Sequence, residues 1–121
     1  MTAAEYQKEA HTYADYAKPA MVDSWSLQKG IDVPYVYPAM GLAEEAGEVA
    51  GKFAKAVRDD HGEISPERKL AIIGELGDVM WFVAELATLL DVDLADVMEG
   101  NISKLKSRLE RGKIHGSGDN R

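Results

Sequence analysis

Two short acidic motifs hold most of the chemistry this chain offers. Glu44-Glu45-Ala46-Gly47-Glu48 and Glu75-Leu76-Gly77-Asp78 each contain two carboxylates at i and i+3. In a helix that spacing puts both on one face, with Cβ atoms about 5–6 Å apart. Like charges so close repel, and each raises the other's pKa unless a cation occupies the site. Magnesium suits such a set, because it takes hard oxygen ligands in octahedral geometry and keeps several waters. At about 100° per residue, Glu45 falls beside the apolar stripe of its segment, Glu48 farther round and Glu44 on the outer face. Glu75 and Asp78 share a side with Phe82 and Leu89. Carboxylates next to apolar surface are costly unless paired or metal-bound. Gly47 and Gly77 lie inside the motifs, with Gly51 and Gly74 nearby. Each glycine weakens a helix interior by roughly 1 kcal/mol relative to alanine. The expected reason is close packing, two helices near enough for four carboxylates to share ions.

The elements that must position these groups read as four helices. The first is expected over residues 3–17, opened by Thr2 with Glu5 three residues on, the capping-box spacing, and ended by Pro19. From Met21 to Pro38 the chain reads as irregular, with Trp25, Gly30, Pro34 and Pro38 along it. The second helix is expected from Pro38 or Ala39 to Arg58, with Leu42, Ala46, Val49, Phe53, Ala56 and Val57 as its stripe. Ser65-Pro66 is a strong start for the third, which runs to about Leu90 and is apolar nearly all round, so it is expected to be the buried one. Asp93 is expected to cap the fourth, and Gly112 to stop it. The domain thus spans residues 1–112, and residues 113–121 form a flexible tail. No segment reads as a strand. The class is all-α.

Composition narrows the field further. At 121 residues the chain is a single domain, and 45% apolar residues support a folded core. With no cysteine, disulfides, thiolate nucleophiles and zinc–thiolate sites are excluded. The balance of 21 acidic against 14 basic residues, net −7, argues against a nucleic-acid polymer as partner. It does not argue against a small phosphate ligand, which acidic clusters recruit through metal ions. The N-terminus shows no secretory pattern, and the longest apolar stretch, Val79 to Leu90, is interrupted by Glu85 and too short to span a bilayer. A cytoplasmic location with no membrane partner is expected.

Glu45-x-x-Glu48 followed by Glu75-x-x-Asp78 resembles the signature of the MazG-like, all-α nucleoside triphosphate pyrophosphohydrolases. The likeness extends to Glu5-Tyr6-Gln7, to Gly41-Leu42-Ala43 before the first motif, to Val79-Met80-Trp81 after the second, and to Asn101-Ile102-Ser103-Lys104-Leu105. It covers the chain from about Glu5 to Arg108. The resemblance implies a four-helix bundle completed by oligomerisation, as a homodimer or homotetramer. It implies cleavage of nucleoside triphosphates between the α and β phosphates, in the service of nucleotide-pool house-cleaning. Glu45, Glu48, Glu75 and Asp78 match the family's ligands for Mg2+, which Mn2+ can replace. Glu44 matches a further acidic position that either orients the ligands or activates water. The base is left open, because related pyrophosphohydrolases share the signature. The alternative is a helical module of the same fold that binds nucleotide without turnover, although such a module has no reason to hold four unpaired carboxylates together.

Other residues suit the substrate. Asn101 and Lys104, one helical turn apart, match family positions near the phosphates, and a solvated helix surface explains them equally well. Arg108 and Arg121 belong to a basic C-terminus in an acidic protein, placed to favour the helix dipole or to contact triphosphate. Trp25 suits either stacking on a base or anchoring its own segment. Lys52 and Lys55 lie on the acidic side of the second helix and balance its charge. The tail, with its glycines and Ser117, is expected either to close over a bound triphosphate or to be an unstructured end without a role.

Overall fold

A computed structural model describes residues 1–17 and 33–118. Helix α1 spans Ala3–His11, α2 spans Val33–Asp59, α3 spans Pro66–Leu89 and α4 spans Leu94–Glu110, and among the described residues there is no strand. The all-α expectation holds. None of the described helices is long and apolar enough to cross a membrane.

The local start signals act as their chemistry requires. Thr2 Oγ1 accepts from the Glu5 amide at 3.2 Å, while the Thr2 amide donates to Glu5 Oε2 at 2.6 Å, a complete capping box. Ser65 Oγ accepts from the Arg68 amide at 3.2 Å, and Pro66 takes the first helical position. Asp93, in contrast, occupies the N-cap position of α4 without a side-chain cap bond. The Leu94 amide donates instead to Gln7 Oε1 at 2.8 Å, and Gln7 Nε2 donates to Thr88 Oγ1 at 3.2 Å and to the Val92 carbonyl at 2.9 Å. One glutamine of α1 therefore fixes the α3–α4 corner.

Two boundaries differ from the sequence expectation. The first helix ends at His11 rather than residue 17, and a 3-10 turn follows over Asp15–Ala17. The Thr12 hydroxyl bonds back to the Glu9 carbonyl at 2.7 Å, and the tighter path carries Tyr16 into the core, where it is buried. The second helix begins at Val33 and contains Pro38 in its interior. Pro34 falls in the first turn, where a missing N–H is harmless. Pro38 costs about 3 kcal/mol in an exposed helix, but here it is fully buried. Tyr37 beside it stacks on Tyr16 with centroids 4.9 Å apart and tilts against Phe82 at 6.1 Å. Those contacts offset the break. Pro19 and residues 21–32 of the expected irregular stretch lie outside the described residues.

Helices α2 and α3 form the main pair, and α1 and α4 pack on α3. Ala10, Ala84 and Leu94 make the core cluster, with Ala3, Tyr6, Trp81 and Val83 packed against it, and Trp81 Nε1 donates to the Ala10 carbonyl at 3.1 Å. The close approach of α2 to α3 is made by Gly41, where any Cβ would overlap the Phe82 ring. The glycines of the acidic motifs do not serve this purpose. A Cβ at Gly47, Gly51, Gly74 or Gly77 would meet nothing within 4 Å, so the packing expected of them belongs to Gly41. Nor is α3 buried all round. Its inward side is Ile72, Phe82, Ala84, Glu85 and Ala87, whereas Leu70, Ile73, Leu76 and Met80 stay exposed.

Candidate metal centre

Because α2 and α3 lie side by side, the faces carrying the two motifs meet. One carboxylate oxygen from each of Glu45, Glu75 and Asp78 falls within 4.8 Å of the other two. Glu45 and Glu75 are half-buried and Asp78 is exposed. Glu45 is held above the ordinary carboxylate range, first by partial desolvation and then by the charges of Asp78, Glu75, Glu44 and Glu48. This crowding matches the sequence expectation, and it is the electrostatic state that a cation relieves.

The donor set fits a hard divalent ion. All three groups offer oxygen, and magnesium or calcium bonds such ligands at about 2.0–2.6 Å. Oxygens on opposite sides of one ion are then separated by about 4–5 Å, so a 4.8 Å cluster converges on an ion with small side-chain adjustments.

Glu48 stands apart from this trio. Its Oε2 lies 3.6 Å from Lys52 Nζ, one helical turn on, and the same ammonium lies 2.8 Å from Glu75 Oε1. The hydrogen bond to Glu75 is the main reason Lys52 is held above the usual lysine range, against the opposing effect of desolvation. Three of the four expected ligands are thus gathered directly, and the fourth is joined to them through lysine. Glu44 is exposed on α2, beside Glu45 in sequence.

The other expected site residues are more scattered. Asn101 and Lys104 are exposed on α4, and among the described residues that helix packs on α1 and α3 without touching α2. Arg108 is buried, and its guanidinium donates to the Gly118 carbonyl at 3.4 Å. The described part of the tail thus makes a hydrogen bond back to α4. Trp25 and Arg121 lie outside the described residues.

A second polar cluster escaped the sequence reading. Glu85 is fully buried, and its Oε2 accepts from the Tyr16 hydroxyl at 2.8 Å and lies 3.1 Å from His11 Nδ1. The available signal was a lone glutamate within the apolar second half of α3. Such a residue must find partners, yet nothing in local spacing names them.

Residues 39–112 match the family model of the MazG nucleotide pyrophosphohydrolase domain. Gene 37 protein of Mycobacterium phage L5 is 54% identical over 85 residues, covering 70% of this chain and 75% of that protein. The uncharacterized protein YvdC of Bacillus subtilis (strain 168) is 38% identical over 78 residues, covering 57% of this chain and 70% of its own length. No solved structure matches the chain.

Proposed function

The chain belongs to the MazG nucleotide pyrophosphohydrolase family, and we propose that it hydrolyses nucleoside triphosphates at the α–β anhydride, using Mg2+ held by its acidic cluster. Water adds across that anhydride, and nucleoside monophosphate and pyrophosphate leave. The convergence of Glu45, Glu75 and Asp78 within 4.8 Å carries this reading. Glu48 supplies the fourth carboxylate from the next turn of α2. When bound, the metal neutralises phosphate charge and lowers the pKa of its water. Glu44, exposed next to Glu45, would accept a proton from the attacking water or orient the neighbouring carboxylate. Asn101, Lys104, Trp25 and Arg121 are the groups we assign to the nucleotide, whereas the buried Arg108 holds the tail at Gly118. The setting is cytoplasmic nucleotide-pool house-cleaning.

The working form is a homo-oligomer. Leu70, Ile73, Leu76 and Met80 on α3, with Val97, Ile102 and Leu109 on α4, are exposed in one chain. Apolar surface on that scale is usually covered by a partner. Light scattering at micromolar concentration should give a multiple of 13.2 kDa.

Pyrophosphate release measured over a panel of ribo- and deoxyribonucleoside triphosphates with Mg2+ tests the activity. We expect turnover on at least one nucleotide, abolished by chelator. Binding without release on every member would instead make the chain a nucleotide-binding module.

A further inference from the structure

Among the described residues, Lys52 is the cation that joins the two halves of the acidic cluster. Its ammonium lies between Glu48 Oε2 and Glu75 Oε1, at 3.6 and 2.8 Å. Glu75 is thus shared: it is a member of the trio with Glu45 and Asp78, and its Oε1 holds Lys52 across the helix pair. We propose that the Lys52 ammonium is a built-in counter-ion occupying a second cation place, between Glu48 and Glu75. The nucleotide-free protein then has one divalent place open, at Glu45, Glu75 and Asp78. This rests on reading the trio as a metal centre and adds to it how many ions enter, and when.

The physical basis is mutual exclusion. A divalent ion shared by Glu48 and Glu75 must approach their oxygens to about 2.0–2.6 Å, and the Glu75 oxygen already holds the ammonium at 2.8 Å. Two cations on one carboxylate repel, the more so where water is scarce; the Lys52 and Glu75 side chains are 22% and 20% exposed, while Glu48 is 53% exposed. Lysine is the residue type suited to vacating such a place. It is a compact point charge on a flexible four-carbon stem, and a triphosphate offers it other oxygens. A second ion therefore enters together with the triphosphate, as Lys52 turns to a phosphate. Lys55, three residues on, makes no ion pair with these carboxylates among the described residues and serves as a control.

The test is Mn2+ binding to the full chain without nucleotide, counted by electron paramagnetic resonance and titration calorimetry. Wild type, Lys55→Met and Lys52→Arg should bind one ion per chain. Lys52→Met and Lys52→Gln should bind a second, or bind Mn2+ at least about tenfold more tightly, and should gain more in Tm from added Mn2+. Circular dichroism identifies variants that fold, and the two neutral substitutions guard against one of them failing. Equal stoichiometry and affinity in wild type and both neutral variants would overturn the role of Lys52 while leaving the metal centre in place. Weaker Mn2+ binding in folded Lys52→Met would also overturn it, since lysine would then be assisting rather than competing. No Mn2+ binding by any form would remove both readings.

Discussion

Helix α3 carries carboxylates in two settings about two turns apart, and the contrast explains what each does. Glu85 is fully buried and alone, held at Oε2 by the Tyr16 hydroxyl at 2.8 Å with His11 Nδ1 at 3.1 Å. Glu75 and Asp78 are half-buried and exposed, crowded by Glu45, with Lys52 as the nearby cation. In the first setting the protein supplies partners to one oxygen, Oε2, while the buried Oε1 has no hydrogen-bond partner among the described residues, and the glutamate ties α1 and the following turn to α3. In the second, negative charge exceeds the positive charge provided. A carboxylate gripped at one oxygen by side chains of the neighbouring elements is structural, and one crowded by like charges and short of countercharge is ready for a ligand.

The largest effect that would test this contrast is on activity. Glu48→Gln combined with Asp78→Asn should lower pyrophosphate release by orders of magnitude while circular dichroism shows an intact fold. Near-native turnover would mean that the crowded cluster is not the metal centre.

At Glu85 the effects should run the other way, on stability more than chemistry. Glu85→Ala leaves a cavity and strands the Tyr16 hydroxyl, costing about 3 kcal/mol in denaturant unfolding. Glu85→Gln keeps an acceptor for Tyr16 and should cost about 1 kcal/mol. If alanine were tolerated as well as glutamine, the buried cluster would not be holding α1.

Alkaline pH gives a finer probe of the same cluster. Burial, and next the hydrogen bond to Glu85, push the Tyr16 phenol well above its ordinary range. Its contribution to stability is fully present below the unfolded tyrosine value of about 10 and is lost as pH rises beyond it. Tyr16→Phe should therefore be less stable than wild type at neutral pH, and the difference should shrink at high pH. A constant difference across that range would separate Tyr16 from Glu85.

The smallest effect belongs to Glu45. Its raised pKa means that its charged form disfavours the metal-free fold, a cost present above the raised value and relieved as pH falls through it. Glu45→Gln should thus raise the metal-free Tm slightly at neutral pH, with no gain under acid conditions. Adding Mg2+ should reverse the ranking, since wild type alone keeps the full ligand set. A lower metal-free Tm for Glu45→Gln at neutral pH would show that crowding is not what strains this cluster.

The sequence by itself determined the parts governed by near neighbours. Apolar spacing marked the helices, Thr2 with Glu5 and Ser65 with Pro66 marked two starts, and the i, i+3 carboxylates marked the face that meets across α2 and α3. Tertiary structure decided what depends on distant partners. His11 and Tyr16 reach Glu85 across separations of 74 and 69 residues, and Gln7 caps a helix 87 residues away. Pro38 is accepted inside α2, where burial and Tyr37 compensate for the lost hydrogen bond. Gly41, rather than the motif glycines, is the one that Phe82 requires. Lys52 was legible as a charge on the acidic side of its helix, but its bond to Glu75 was not. Periodicity fixes which way a side chain faces along its own helix, whereas the group it meets there is fixed only when a second helix packs against it.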